Sequence, residues 1–419
     1  MKLKFHGGAQ EVGRSCVVVN DTFLLDAGLK IKEHNGGVEY PSNFNLSNIQ
    51  AVFISHSHLD HVGALPMFNF EGLRCSVFLT RMTREISKIM LKDSYHIATL
   101  SDSHAGYSEE NVYNSFSFMQ TVKLNKRYHF GDMNFKFLDA GHIPGAASIL
   151  LEIEGKKLLY SGDISHTNTH LVLGSDYHVD NVDILICEST YGDRLHENRQ
   201  EAEKRFKQKI LEAIERGGSV IIPVFAVGRA QEVILMLRDL PIDTPIYLDG
   251  MSKGITQLCL QNPETIKNAN ELRQCLEKIH FVKGKHHRKN ISKQQGIIIT
   301  TSGMVVGGAI MGHLPYYVND DRHSILLTGY QGEDTNGRSL LENKTMIIDD
   351  QKYKWKGYIE KFDFSAHSGQ DELIKYIAHI NPKVLVLMHG EPASIKILAE
   401  KFPDKEVYTP HLDEELSVG

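Results

Sequence analysis

The sequence predicts an α/β fold, a layered sheet with helices interrupted by an inserted α/β domain. Three observations carry that expectation: short β-rich runs closed by glycine, polar or histidine turns in the first half, alternating helix and strand after Tyr191, and a return of the first style near the C-terminus. The first-half runs are VVVN (17–20), TFLLD (22–26), AVFIS (51–55), NFKFLDA (134–140), ILLEI (149–153), KLLYSGD (157–163) and DILICEST (183–190). Their β-branched and aliphatic residues suit a pleated, buried surface, and the chemistry-bearing residues stand at their ends. A helical stretch from about Asn198 to Arg216 is closed by Gly217 and Gly218, and is followed by strand SVIIPV and a helix through GRAQEVILMLRDL. IYLD (246–249) and GIIIT (296–300) bracket a polar helical segment, and the block ends in SILLTGYQGEDTNGRSLL. From Gly357 come YIEKFDFSAH, helix DELIKYIAHI, strand KVLVLMH and helix ASIKILAEKF, expected to complete the first domain. The expected division is 1–193 and 356–419 for that domain and 194–355 for the insertion.

Composition narrows the function classes. The chain has 419 residues, and 46 Lys+Arg against 52 Asp+Glu give a net charge of −6, which excludes a basic nucleic-acid tether. Hydrophobic residues at 41% and charged residues at 23% are ordinary globular usage, so two or three folded units with a sizeable core are expected. No apolar run approaches the roughly 18 residues of a membrane span, and MKLKFHGGAQ turns polar before a signal-peptide core could form. Five widely spaced cysteines without a CxxC pair indicate neither a disulfide framework nor a zinc ribbon. A reducing, cytoplasmic location with no membrane partner is expected.

HSHLDH is the strongest chemical signal. Where strand AVFIS stops, His56, His58, Asp60 and His61 are presented within one turn. Imidazole and carboxylate are the usual ligands of a catalytic zinc, and residues two apart on extended chain point the same way. His56 with His58 could take one metal and Asp60 with His61 a neighbouring one; a histidine-rich surface loop is the plain alternative. His142 in AGHIPGAAS, Asp163 in YSGD and His389 in VLVLMHGE are further candidates at strand ends. His6, His96, His104, His129 and His280 lack a motif context and read as surface or satisfied core residues.

On these residues the chain resembles the metallo-β-lactamase-fold hydrolases, specifically their β-CASP branch of nucleases, over nearly its whole length. The resemblance implies an αββα sandwich with an inserted β-CASP α/β domain. It rests on Asp26 in LLDAG, HSHLDH, His142 and Asp163, and on three markers peculiar to the branch: Glu188 in CEST, His367 in FSAHSG and His389 in MHGE. By that resemblance two zinc ions per chain are implied, one on His56, His58 and His142, the other on Asp60, His61 and His389, with Asp163 bridging. Manganese would also suit such ligands. Asp26 would orient the ligands; a turn aspartate before Gly28 is its ordinary alternative. Catalytic roles are expected of His367, Glu188 and Asp60, with His367 as proton donor partnered by Glu188. The expected chemistry is hydrolysis of phosphodiester bonds by a dizinc-activated hydroxide.

DNA-repair members of the branch have valine where this chain has His389, so single-stranded RNA is the implied partner. PVFAVGRAQE (223–232), TSGMVVGGAIMGHL (301–314) and GYQGEDTNGRSL (329–340) resemble segments of polyadenylation-type cleavage factors and ribonuclease J. Glycine-rich turns expose N–H groups that can hold phosphate, which makes Ser302, Gly303 and Arg338 candidate contacts; ordinary turn residues are the alternative. Lys283, Lys285, Arg288 and Lys289 are candidates for lining an RNA path, or a solvated loop. An endonuclease, a 5′-3′ exonuclease or both are implied, acting in RNA processing or decay as a homodimer or in a larger RNA-processing complex. The extra N-terminal KH domains of archaeal cleavage factors and the C-terminal extension of ribonuclease J have no counterpart here, so no sequence preference is expected from them. The rival readings are a small-molecule hydrolase of the same fold and a non-catalytic RNA-binding scaffold. The long insertion and His389 argue against the first, and the full ligand set against the second.

Overall fold

The computed structural model describes residues 1–31, 37–100 and 105–418. The chain forms two compact units. The first comprises Met1–Asn168, Leu173–Leu195 and His367–Gly419, and the second Thr169–Val172 and His196–Ala366.

Two seven-stranded sheets make up the first unit. Strands Lys2–Gly7, Cys16–Val19, Phe23–Leu25, Ala51–Phe53, Ser76–Thr80 and Met119–Val122 form one, with Glu415–Ser417 on its edge beside Lys2–Gly7. The other contains Arg127–Phe130, Met133–Asp139, Ala147–Ile153, Lys156–Tyr160, Ile184–Glu188, Val384–Met388 and Glu406–Tyr408. Alternation along the strands sorts side chains between two cores. Val17 and Val19 join Phe5, Phe53, Phe135, Ile149 and Ile186 between the sheets. Val18 faces outward with Leu24, Val52 and Val77, where Leu65, Phe68, Leu91 and Val112 of three helices cover them. The second sheet's outer residues Leu159, Leu185 and Leu385 lie under Leu373 and Ile377 of helix Gln370–Ile380 and under Ile395 and Leu398 of helix Pro392–Ala399. Each fully buried large apolar side chain contributes about 1.5–3 kcal/mol to this αββα sandwich.

The second unit is built on a six-stranded sheet in the order Ile279–Phe281, Ile246–Asp249, Ile297–Thr300, Val220–Pro223, Ser324–Leu327, Tyr358–Lys361. Every neighbouring pair is parallel. Buried on both faces, its inner strands are continuous apolar runs such as Ile297–Ile299 rather than alternating ones. Helix Arg199–Glu215 begins where the Asn198 side chain accepts from the N–H groups of Gln200 and Glu201.

Two local expectations are corrected. YIEK, read as the return to the first domain, pairs with Ser324–Leu327 as the edge strand of the second unit, and the chain rejoins the first unit only at His367. The segment between IYLD and GIIIT, read as polar helix, holds the short strand Ile279–Phe281 between helices Ala269–Glu277 and Lys285–Ile291. With the apolar Ile279 and Phe281 separated by one histidine, it is too short for a period of two to stand out. His104 lies outside the described residues. No helix among them is long and apolar enough to cross a membrane.

Candidate metal centre

Residues at the ends of six strands of the first unit converge on one site. Asp26 follows Phe23–Leu25, HSHLDH follows Ala51–Phe53, His142 follows Met133–Asp139 and Asp163 follows Lys156–Tyr160. Glu188 ends its own strand and His389 follows Val384–Met388, while His367 precedes helix Gln370–Ile380. The HSHLDH turn is fixed by backbone pairing: Ala27 donates to the His61 carbonyl at 2.8 Å, Leu29 to Leu59 at 2.9 Å and Ser15 to Asp60 at 2.8 Å. Gly28 permits that approach, since a Cβ there would lie 1.7 Å from the Asp60 carbonyl oxygen. His389 adopts φ 50°, and its N–H donates to the Gly8 carbonyl at 2.7 Å.

Four overlapping groups of ligand atoms result: His56, His58, His142 and Asp163; His56, Asp60 and His61; His61, Asp163 and His389; and Asp163, Glu188 and His367. His58 Nδ1 is 3.1 Å from His56 Nε2 and 3.2 Å from His142 Nε2. Asp163 Oδ2 is 3.4 Å from His56 Nε2, and its Oδ1 is 3.3 Å from both His61 Nε2 and His389 Nδ1. Asp60 Oδ2 lies 3.4 Å from His389 Nε2 and 3.8 Å from His61 Nε2. Ligand atoms about a tetrahedral zinc with bonds of 2.0–2.1 Å sit roughly 3.3–3.4 Å apart, so the spacing fits such an ion. The chemistry of the donors fits as well. Buried Nε2 of His61 and His389 and Oδ1 of Asp163 satisfy no hydrogen bond of ordinary geometry, a costly state for polar atoms unless a cation takes their lone pairs.

Asp26 is fully buried behind this cluster. Its Oδ2 accepts from His61 Nδ1, Ser55 Oγ and Tyr160 OH, each at 2.7 Å, and its Oδ1 accepts from the Ser55 N–H at 2.7 Å. A donating Nδ1 leaves the His61 Nε2 lone pair aimed into the cluster. Burial drives His56 and His58 below the ordinary histidine range, so both are neutral and ready to ligate. Burial acts the same way on His61, but Asp163, Asp60 and Asp26 overcome it and hold its imidazole well above that range. Asp163, against its own burial, is kept ionised by His61, His389, His367 and His56.

His367 Nδ1 lies 2.9 Å from Glu188 Oε2, and its Nε2 is 3.9 Å from Asp163 Oδ2. Glu188 also accepts from the Ile164 N–H at 2.7 Å and from the Thr190 hydroxyl at 2.5 Å. Burial pulls the His367 imidazole down, but Glu188 and Asp163 push it up to about 9. It keeps 20% of its side chain exposed, so one face of the cluster is open to a substrate.

Ser302, Gly303 and Arg338 lie in the second unit. Gln331 Nε2 donates to the Gly303 carbonyl at 3.1 Å and the Gly337 N–H to the Met304 carbonyl at 3.0 Å, which joins their two glycine-rich segments. The Ser302 hydroxyl donates to the Gly307 carbonyl at 3.2 Å, and the Arg338 guanidinium pairs with Glu342 one helical turn on, at 2.5 Å. Ser302 is thus engaged within its own loop and Arg338 within its own helix. Ser55, Tyr160 and Thr190 escaped the sequence reading. Tyr160 and Ser55 sit beside recognised motifs, but their roles depend on strands meeting across two sheets.

An αββα sandwich with a buried His/Asp cluster at its strand ends defines a metal-dependent hydrolase. Family descriptions match along the chain: the Anti-Pycsar protein Apyc1 over residues 16–201, the Beta-Casp domain over 230–340, and the Zn-dependent metallo-hydrolase RNA specificity domain over 352–410. The chain is 37% identical to Probable RNase MJ4 of Methanocaldococcus jannaschii over the full length of both proteins. It is 36% identical to an RNase J-like protein of the same organism, over 93% of this chain and 92% of that one. A crystal structure of a protein of unknown function from Enterococcus faecalis V583 superposes with a TM-score of 0.59, at 14% identity and 99% coverage of each chain, a likeness of fold. The chain belongs to the β-CASP ribonuclease family of the metallo-β-lactamase superfamily, a family of metal-dependent hydrolases that act on RNA.

Proposed function

We propose that the protein is a zinc-dependent ribonuclease of RNA processing or decay that hydrolyses phosphodiester bonds in single-stranded RNA. The observation that carries this reading is the His367–Glu188 pair set against Asp163 at the open face of the ligand cluster. His56, His58 and His142 would hold one ion, Asp60, His61 and His389 a second, with Asp163 between them. When bound, the zinc pair supplies an acidified water as nucleophile and neutralises charge on the phosphoryl oxygens.

The chain's own residues do the rest. Asp26 fixes the His61 ring through Nδ1, and Ser55 and Tyr160 fix Asp26. As the new bond to phosphorus forms and the bond to the 3′ oxygen breaks, the proton on His367 Nε2 passes to the leaving oxygen. Glu188 retains its hydrogen bond with Nδ1 throughout, and the Ile164 N–H and the Thr190 hydroxyl hold Glu188 in place. The names of the relatives, Probable RNase MJ4 and an RNase J-like protein, support the substrate class. Five unpaired cysteines support a reducing, cytoplasmic setting.

One RNA and the single-stranded DNA of the same sequence, each carrying a 5′ monophosphate or a 5′ hydroxyl, are incubated with the protein with and without chelator. Chelator-sensitive cleavage of the RNA is the expected result. Mononucleotides released only from 5′-monophosphate RNA would define a 5′ exonuclease, and internal fragments whatever the 5′ group an endonuclease. No cleavage of any substrate would overturn the reading in favour of a small-molecule hydrolase or a scaffold.

A further inference from the structure

The edge of the second unit's sheet carries a charge pattern at odds with the chain as a whole. From Lys278 to Asn319 there is no Asp or Glu, in a protein whose net charge is −6. Lys278, Lys283, Lys285, Arg288, Lys289 and Lys293 all fall in the first part of that span. Among the described residues Arg288 is the one of the six with a carboxylate partner, Asp249 at 2.7 Å. The five lysines are exposed. Five exposed lysines without a carboxylate partner among the described residues, with His280, His286 and His287 among them, make a local positive field that the net charge conceals.

A groove of about 960 Å³ opens in this region, at the upper end of the size of ligand sites. Tyr247, Phe281 and His280 line it on the strand side, His287 and Ile291 on the helix side, and Lys283 stands between. The rings are arranged for contact: Tyr247 lies 5.6 Å from His280, tilted by 39°, and 6.4 Å from His287, edge-on at 88°. Its hydroxyl is tied to Gln294 at 2.5 Å, which fixes the ring. Strand Ile279–Phe281 bounds the sheet here.

We infer that this groove is a secondary binding site for single-stranded RNA, formed wholly within the second unit, in which bases stack on the His280 and His287 rings, backed by the buried Tyr247, while Lys283, Lys285 and Lys289 take the phosphates. The inference rests on the ribonuclease reading and adds to it a place on the molecule where substrate is held apart from the bond being cut. Rings interleaved with cations are the combination that single strands need, because every base offers a π-face and every linkage a negative charge. An acidic peptide adding as a strand is the weaker fit. The edge strand has three residues, too few for a ladder, and aromatic rings give such a peptide no complement.

The test uses the full chain in chelator, a fluorescent 20-nucleotide RNA and a polyglutamate peptide as competitor. For the triple variant Lys283→Ala, Lys285→Ala, Lys289→Ala, the Kd for the RNA is expected to rise at least tenfold, and the log–log salt slope to shrink by about 2, since each phosphate contact to a single strand contributes roughly 0.7. His280→Ala should raise the Kd about fivefold with no change of slope, as loss of one stacked base requires. With metal restored, the KM of the lysine variant for the same RNA should rise while kcat stays within about twofold. An unchanged Kd and slope in a protein whose wild type binds and cleaves RNA would overturn the groove and leave the ribonuclease reading intact. Failure of the wild type to bind RNA in chelator would overturn the groove, failure to cleave RNA with metal restored would overturn the ribonuclease reading with it, and displacement of RNA by polyglutamate at equal concentration would overturn the groove in favour of a protein ligand.

Discussion

At the residue scale the site divides into side chains that surround the cluster's centre and side chains that hold them. His367→Ala removes the proposed proton donor but none of the proposed zinc ligands, so cleavage is expected to fall by roughly 10²–10⁴ while zinc, measured by elemental analysis, stays near two per chain. Asp163→Ala and His389→Ala remove ligand atoms and should lower the zinc content; full occupancy in both variants would sink the ligand assignment. A pH effect follows from His367, whose imidazole is raised from 6.5 to about 9. A raised folded value stabilises the protein below the unfolded value, so this contribution is complete under pH 6.5 and is lost as pH climbs through about 9. Denaturant midpoints of the metal-free protein should therefore fall between pH 6 and 10 more in the wild type than in Glu188→Gln, and parallel curves would rule the pair out as its source.

Among the elements, the turn carrying HSHLDH depends on a loop that touches it only through backbone. Gly28→Ala would drive a methyl group into the Asp60 carbonyl and prise the two segments apart. The expected result is at least a tenfold weaker affinity for zinc by calorimetry, with the far-ultraviolet circular dichroism unchanged; native affinity would show that the approach is dispensable. This level also marks how far the sequence could be read. HSHLDH was legible because four candidate ligand residues crowd into one turn, and helix Arg199–Glu215 because its glycine stop is local. The parts that were not legible depend on distant pairing. Tyr160 reaches Asp26 across the sandwich, and YIEK joins the second unit because Ser324–Leu327 offers it an edge, which nothing in its own four residues encodes. The three-residue strand Ile279–Phe281 passed for helix because its neighbours on both sides are helical.

For the molecule as a whole, the His/Asp cluster draws on strands of both sheets of the first unit, so an ion bound there would couple to folding. Removing one ion held at a free concentration a thousand times its Kd withdraws about 4 kcal/mol, or roughly 8 to 16 °C in melting temperature for a unit of this size. Calorimetry with and without chelator reads this directly, and an unchanged melting temperature would mean that the cluster binds no ion tightly. The order in which the first unit receives its pieces carries a further consequence. His367 and His389 come from its third segment, after the whole of the second unit, and strand Val384–Met388 sits between Ile184–Glu188 and Glu406–Tyr408 rather than at an edge. On a ribosome adding 5 to 20 residues per second, the span from Glu188 to His389 takes roughly 10 to 40 s. The emerging polypeptide gains the proposed proton donor His367 only near the end of that interval, and the proposed last metal ligand His389 only at its close. A nascent chain therefore lacks a complete site until its third segment has been synthesised and has inserted Val384–Met388 into the sheet.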